Sequence, residues 1–330
     1  RVLQFLPYFE QVQDIEVLGV VTINTQMSRM KIAKRLAYLF QKALFADILF
    51  IQKARLPSSI IFWIGKLCNL VYDFDDAVFL PPPSWPDGKD FSKKLRRLEQ
   101  LLGHMDMVIA GNAYLAEYAC SYADNVFIIP TVVDIGQIEI EACSDWSVRQ
   151  VFRLKAKLEK SSAPIVVGWI GGPEHICQLD AVGKVLCHLQ RQYRIQVKVV
   201  SSQKWRFPNL KVVNKRWVLG EEVADVQSFD IGVMPLDGAK PFLKGKCGFK
   251  AIEYMAVGIP VVASPVGVNV DLIHDSAGGF LAETIEEWKS YLELLIQDVG
   301  LRRELGYKGR DFVARHFSVA SVLPMYVDLF

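Results

Sequence analysis

Gly245-Lys246-Cys247-Gly248-Phe249-Lys250-Ala251-Ile252-Glu253-Tyr254-Met255-Ala256-Val257-Gly258-Ile259-Pro260-Val261-Val262-Ala263-Ser264 reads as a glycine-rich entry, a helix over Lys246–Ala256, a stop and a buried strand. Gly245 and Gly248 let the backbone turn sharply and approach a ligand closely. A helix start offers N–H groups and partial positive charge, an anion site. Gly258 with Pro260 behind it is a stop signal. Ile252, Met255 and Ala256 form an apolar stripe, while Lys246, Lys250 and Glu253 fall at i, i+4 and i+7 on another face. Two readings stand. One is a solvated lysine face with an ion pair between Lys250 and Glu253. The other is a nucleotide diphosphate held by the glycine turn and the lysines, with Glu253 accepting ribose hydroxyls.

Outward from this stretch the chain alternates strand and helix, which implies parallel sheets covered on both faces. In the first half, strands are expected at Val17–Ile23, Ile48–Gln52, Val71–Phe74, Met107–Ala110 and Val126–Ile129. Helices are expected at Val2–Phe9, Met27–Phe45, Ser58–Cys68, Phe91–Met105 and Ala113–Ser121. Pro130 to Pro164, with a charged helical piece at Val148–Leu158, reads as a connection. A second series has strands at Ile165–Trp169, Gln196–Val200, Leu210–Val213, Ile231–Met234, Pro260–Ala263 and Gly279–Leu281. Its helices fall at Gln178–Tyr193, Glu222–Ser228, Asp271–His274 and Ile285–Ile296, and Leu301 to Phe330 reads as helix.

Three further stretches could carry chemistry. Gly171 and Gly172 end the strand at Ile165. They form either a plain strand-to-helix turn or a loop under a diphosphate. Arg216 and Trp217 follow another strand, and Trp217 either fills the core or, as the family resemblance described below implies, walls in a nucleotide base. Asp73, Asp75 and Asp76 close Val71-Tyr72-Asp73-Phe74-Asp75-Asp76. Three carboxylates at a strand end repel one another, so they need donors, a cation or a ligand. Helix capping is one account of them, and a metal-binding Asp-x-Asp is another. Trp85, in a proline-restricted loop, is either a sugar platform or ordinary surface. Arg29, Lys31, Lys34, Arg35 and Lys42 lie among apolar residues, which fits an anionic membrane surface or a solvated helix face.

The stretch from Gly245 resembles the donor-binding signature of retaining GT-B glycosyltransferases of family four (group one). The resemblance runs through most of the chain and is strongest from Ile165 to Ala282. It implies an α/β chain of two doubly wound Rossmann-like parallel-sheet domains facing across a cleft. The expected division is residues 1–145 on the acceptor side, 146–312 binding the donor, and 313–330 as a helix returning to the first domain. It also implies an opening strand ahead of Val2 that this sequence does not show. Glu253 matches the second of two signature glutamates. The first falls on Gly245, and the phosphate-gripping Arg or Lys falls near Glu174 and His175, both departures.

The activity implied is sugar transfer from a nucleotide-diphosphate sugar to an acceptor hydroxyl with retention of configuration. Donor contacts are expected from Gly171, Gly172, Arg216, Trp217, Lys246, Cys247, Gly248, Lys250 and Glu253. Asp76, Asp75 and Lys246 are the expected catalytic residues, the aspartates toward the acceptor and Lys246 toward the leaving diphosphate. No metal and no further cofactor is expected, because the GT-B architecture sets the Asp-x-Asp reading aside. The acceptor is a glycan, a lipid-linked molecule or a small molecule. The rivals are an epimerase or phosphorylase-like enzyme and a non-catalytic nucleotide-sugar-binding subunit.

Composition narrows the partners. The chain has 330 residues, and 38 Lys plus Arg nearly balance 36 Asp plus Glu, so no basic field for nucleic acid exists. Six cysteines without a CxxC pair read as reduced thiols of a cytoplasmic protein, with peripheral membrane contact through the basic helix as a further expectation.

Overall fold

A computed structural model describes residues 3–22, 27–54, 56–83, 85–86, 88–135 and 163–330. The expected helical piece at Val148–Leu158 lies outside them. The chain forms two compact units. The first is Arg1–Thr131 with Gly245–Cys247 and Val322–Phe330, and the second is Val132–Lys244 with Gly248–Ser321.

The first unit opens with a short 3-10 turn and α1 (Leu6–Phe9), then α2 (Arg29–Ala43). There follow β1 (Ile48–Gln52), α3 (Ser58–Ile64), β2 (Asn69–Phe74), α4 (Ser92–Leu102), β3 (Met107–Ala110), α5 (Ala113–Ala119) and β4 (Val126–Ile128). The four strands form a parallel sheet in the order β1-β2-β3-β4. In β2 every residue after Asn69 is buried, as expected of a strand covered on both faces. Phe5 and Phe9 pack with Tyr326 and Phe330, Phe5 and Tyr326 edge to face at 4.9 Å.

Residues 17–22 are not a strand, contrary to expectation, and Ile23 lies outside the described residues. Val20 is half exposed. An apolar run becomes a strand only with a partner and a face to bury, and β1 pairs with β2 alone among described strands.

The second unit runs β5 (Ile165–Ile170), a 3-10 segment (Pro173–Leu179), α6 (Asp180–Gln192), β6 (Ile195–Val200) and β7 (Val212–Lys215). It continues through α7 (Glu222–Gln227), β8 (Ile231–Met234), α8 (Pro241–Lys244), α9 (Phe249–Ala256), β9 (Val261–Ala263), α10 (Asn269–Ser276) and β10 (Gly279–Leu281). The series ends with α11 (Ile285–Gln297), α12 (Val299–His316) and α13 (Val319–Val327), whose last residues count with the first unit. Its parallel sheet has the order β10-β9-β8-β5-β6-β7. Successive strands run outward from β5 on one side and from β8 on the other. The order therefore reverses between β5 and β8, and ligands of such sheets bind beyond the carboxyl ends of the strands at that point.

Of the expected boundaries that move, three have a clear local cause. The strand expected at Leu210–Val213 is Val212–Lys215, because Asn209 takes a left-handed φ of 61° and Leu210 closes a turn onto Phe207. The long terminal helix breaks at Phe317–Ser318, where the Ser318 hydroxyl accepts the Ser321 N–H at 3.1 Å. The helix of the glycine-rich stretch starts at Phe249, not Lys246, because Gly248 is left-handed with φ 67°. Lys246 thus stands outside the helix and shares no face with Lys250 and Glu253. A parallel sheet with helices between its strands in each unit, four-stranded in the first and six-stranded in the second, is the GT-B fold.

Candidate active site

At the switch point of the second unit, α9 is tied to β5. The Ile170 N–H donates to the Tyr254 hydroxyl at 3.1 Å. The Tyr254 ring occupies the space over Gly232, where a Cβ would lie 2.3 Å from a ring carbon. Burial pushes the Tyr254 hydroxyl well above its ordinary pKa, so it stays neutral.

This anchoring sets Lys250 across the glycine bend. A Cβ on Gly171 would come 2.5 Å from Lys250 Cε and 2.8 Å from the Trp169 ring. The Lys250 ammonium lies 5.5 Å from the centre of that ring. The bend thus carries a cation, next to the start of α9, where backbone N–H groups and the helix dipole add to the positive field. Three residues on, the half-buried Glu253 carboxyl is pushed up to about 8 by desolvation; Lys250 opposes the shift and Glu222 adds to it. Gly172 is overhung by Glu174, whose Oε1 would lie 2.3 Å from a Cβ there, and His175 Nε2 lies 3.6 Å from the same oxygen. Where the resemblance implied an arginine or lysine, the loop therefore carries an acid.

The first unit has its own charged site. Lys53 follows β1 with a left-handed φ of 49°. Its ammonium meets Asp76 Oδ2 at 2.7 Å and also pairs with Asp75. Lys246 meets the other Asp76 oxygen at 2.8 Å. Burial works against ionisation of Asp76, but Lys246 and Lys53 outweigh it and hold the carboxyl below its ordinary range. Burial likewise opposes the charge on Lys53, and Asp75 and Asp76 raise its pKa overall. The Thr131 hydroxyl donates to Asp75 at 3.4 Å, and the Cys247 thiol to the Asp75 carbonyl at 3.0 Å. Asp73 is fully buried within β2, where its carboxylate accepts from Gln52.

The Gly245–Cys247 segment is fixed by the same unit. The Asn112 amide donates to the Gly245 carbonyl at 3.2 Å. A Cβ at Gly245 would lie 2.7 Å from the Ala77 Cβ. That packing explains why the first signature glutamate is absent: no side chain fits there.

The remaining expected residues divide. Trp217 is 39% exposed, which removes the core alternative. Its backbone N–H donates to the Ser201 carbonyl at 3.2 Å, and Arg216 beside it is exposed. A cleft of about 480 Å³ lies beyond β8, β9 and β10, lined by Gln178, Asp237, Lys240, Ser264 and Glu283 among others. None of the expected donor residues lines it. It reaches the switch point through Gln178, whose Oε1 accepts the Asp237 N–H at 2.9 Å. Among the described residues no group of three or more His, Cys, Asp or Glu is placed to hold a metal ion. Lys53 was not legible as a site residue, although its place just past a parallel strand is where function collects.

The family model for group 1 glycosyl transferases matches residues 130–298, just over half of the chain. The chain belongs to the group 1 glycosyltransferases. Solved structures agree with the fold of this glycosyltransferase. HepE from Anabaena, in complex with UDP-glucose, aligns with a TM-score of 0.65 at 16% identity, over 99% of this chain and 88% of that one. A sucrose-phosphate synthase from Thermosynechococcus elongatus aligns at 0.63 and 14% identity, over 96% and 82%. A glycosyltransferase from Rickettsia africae aligns at 0.64 and 15% identity, over 95% and 84%. No curated protein matches the glycosyltransferase by sequence.

Proposed function

We propose that the glycosyltransferase moves a sugar from a nucleotide-diphosphate sugar to an acceptor hydroxyl, with retention of configuration and without a metal. The observation that carries this reading is Lys250 laid across Gly171 at the switch point, beside the half-buried Glu253. A fixed cation and a helix start favour a diphosphate, and most of all the charge that develops as the sugar leaves. Glu253 meets the ribose hydroxyls, and Arg216 and Trp217 border the base. That HepE was solved with UDP-glucose supports a nucleotide-sugar donor.

The first unit serves the acceptor in this reading. Asp76, held ionised by two lysines, is a weak base, since a general base works best near the operating pH. It therefore orients the acceptor and fixes Lys246, with Asp75 at its side. Thermal-shift screening against nucleotide sugars tests the donor, because a ligand of the folded state raises Tm. Product stereochemistry tests retention, and full activity in chelator tests metal independence.

The protein works in the cytosol or against the inner membrane face. Cys68, Cys120, Cys177 and Cys187 carry free thiols. No helix among the described residues is long and apolar enough to cross a membrane. Phe45 is 78% and Trp63 60% exposed, in the same unit as the basic α2. Exposed aromatics with basic residues suit an anionic lipid surface, and a lipid-linked acceptor would be met there. A second reading, a non-catalytic nucleotide-sugar-binding subunit, is favoured by Glu174 over Gly172 and by the packed Gly245.

A further inference from the structure

We propose that Lys53 is a positioning residue of the acceptor-side site: a fixed counter-ion that holds the Asp75 and Asp76 carboxylates together in one orientation. This rests on the reading of the chain as a sugar transferase. Three observations lead to it. Lys53 adopts a left-handed backbone, a conformation in which a non-glycine residue is strained and which gathers at functional sites. The same residue extends the sheet by one bond, its N–H donating to the Asp73 carbonyl at 2.9 Å, which ties its backbone to β2. Its ammonium reaches both carboxylates, at 2.7 Å to Asp76.

The charge balance explains why the strain is retained. Two adjacent carboxylates, Asp75 and Asp76, meet two ammoniums, Lys53 and Lys246. Without Lys53, any movement of Lys246 toward an anionic ligand would leave a half-buried pair of like charges, and one would take up a proton. With Lys53 in place, Asp76 remains paired through Oδ2 when its Oδ1 gives up Lys246. Among the described residues, Thr131 and the Cys247 thiol also meet Asp75, and nearby Gln52 donates to Asp73. None of these groups carries a positive charge.

The test compares Lys53→Met, Lys53→Arg and Lys53→Gly in the full chain. Loss of alignment at a reacting group can lower turnover by about 10²-fold, so Lys53→Met is expected to lose about that in kcat with the donor KM little changed. Lys53→Arg restores the charge and recovers most of the turnover. Lys53→Gly relieves the left-handed backbone yet loses turnover as Lys53→Met does, which separates the ammonium from the backbone. Carboxyl-carbon NMR of Asp76 gives a readout independent of turnover, and its titration midpoint rises in Lys53→Met. Wild-type kcat together with an unmoved Asp76 titration in Lys53→Met would overturn the inference. If the wild-type protein transfers no sugar from any nucleotide sugar, the sugar-transferase reading fails instead, and the Asp76 titration still decides what Lys53 does.

Discussion

The hydroxyl of Tyr254 accepts the N–H of Ile170 at 3.1 Å, and that bond joins α9 to the last residue of β5. It sets the helix that carries Lys250 and Glu253 at the point where the strand order reverses. Tyr254→Phe keeps the ring over Gly232 but leaves a buried N–H without this acceptor. Such a group costs about 1–3 kcal/mol, so the midpoint of urea unfolding should fall with little change in slope. An unchanged midpoint would mean that the bond does not anchor the helix.

Gly171 and Gly172 should answer differently to substitution. A methyl at Gly171 meets the packed Trp169 ring as well as Lys250, whereas at Gly172 it meets the carboxylate of Glu174, the mobile end of an exposed side chain. Gly171→Ala is therefore expected to displace Lys250 and weaken nucleotide binding by about tenfold, equivalent to ~1.4 kcal/mol. Gly172→Ala should bind nearly as the parent does. Calorimetric titration of the two variants checks the order, and a larger loss at Gly172 would refute it.

Glu253 gives a pH signature. Its carboxyl titrates near 8 in the folded chain, against an ordinary 4.5. Between those values the folded state keeps a proton that the unfolded chain has released, so this residue lowers stability as pH rises through that window. Glu253→Gln removes the effect. The variant should match the parent in Tm near pH 4 and exceed it above pH 8, by about 2–4 °C for each kcal/mol in domains of this size. Equal melting curves at both ends would show that Glu253 is solvated.

Much of this was legible in the residues, and for physical reasons. Ile48–Gln52, Met107–Ala110 and Ile231–Met234 are short apolar runs with parallel partners, the last two largely buried, and each stands where it was expected. Val17–Ile23 has similar composition, but among the described residues no strand pairs with residues 17–22. The phase of the central helix was misread because Gly248 is a left-handed stop and not part of the helix, which only backbone geometry reveals. Lys53 carries no local pattern at all. Its meaning comes from Asp75 and Asp76, which lie more than twenty residues away in sequence and are brought alongside by the pairing of β1 with β2.

Surface contact can be checked separately. Phe45→Ser with Trp63→Ser removes two exposed aromatics. Co-sedimentation with vesicles containing anionic lipid should fall, while the melting temperature holds, because exposed substitutions shift stability by only about 0.5 kcal/mol. Parent protein that stays in the supernatant at low salt would remove the membrane from the account.

The most direct measurement is the affinity of Lys250→Ala for a nucleoside diphosphate, taken by calorimetry beside the parent and with circular dichroism as the control for folding. Hydrogen bonds to charged groups contribute about 1.5–3 kcal/mol, so Kd should rise by at least about tenfold while the spectrum stays the same. A Kd equal to that of the parent would contradict the claim that Lys250, lying over Gly171, holds the donor.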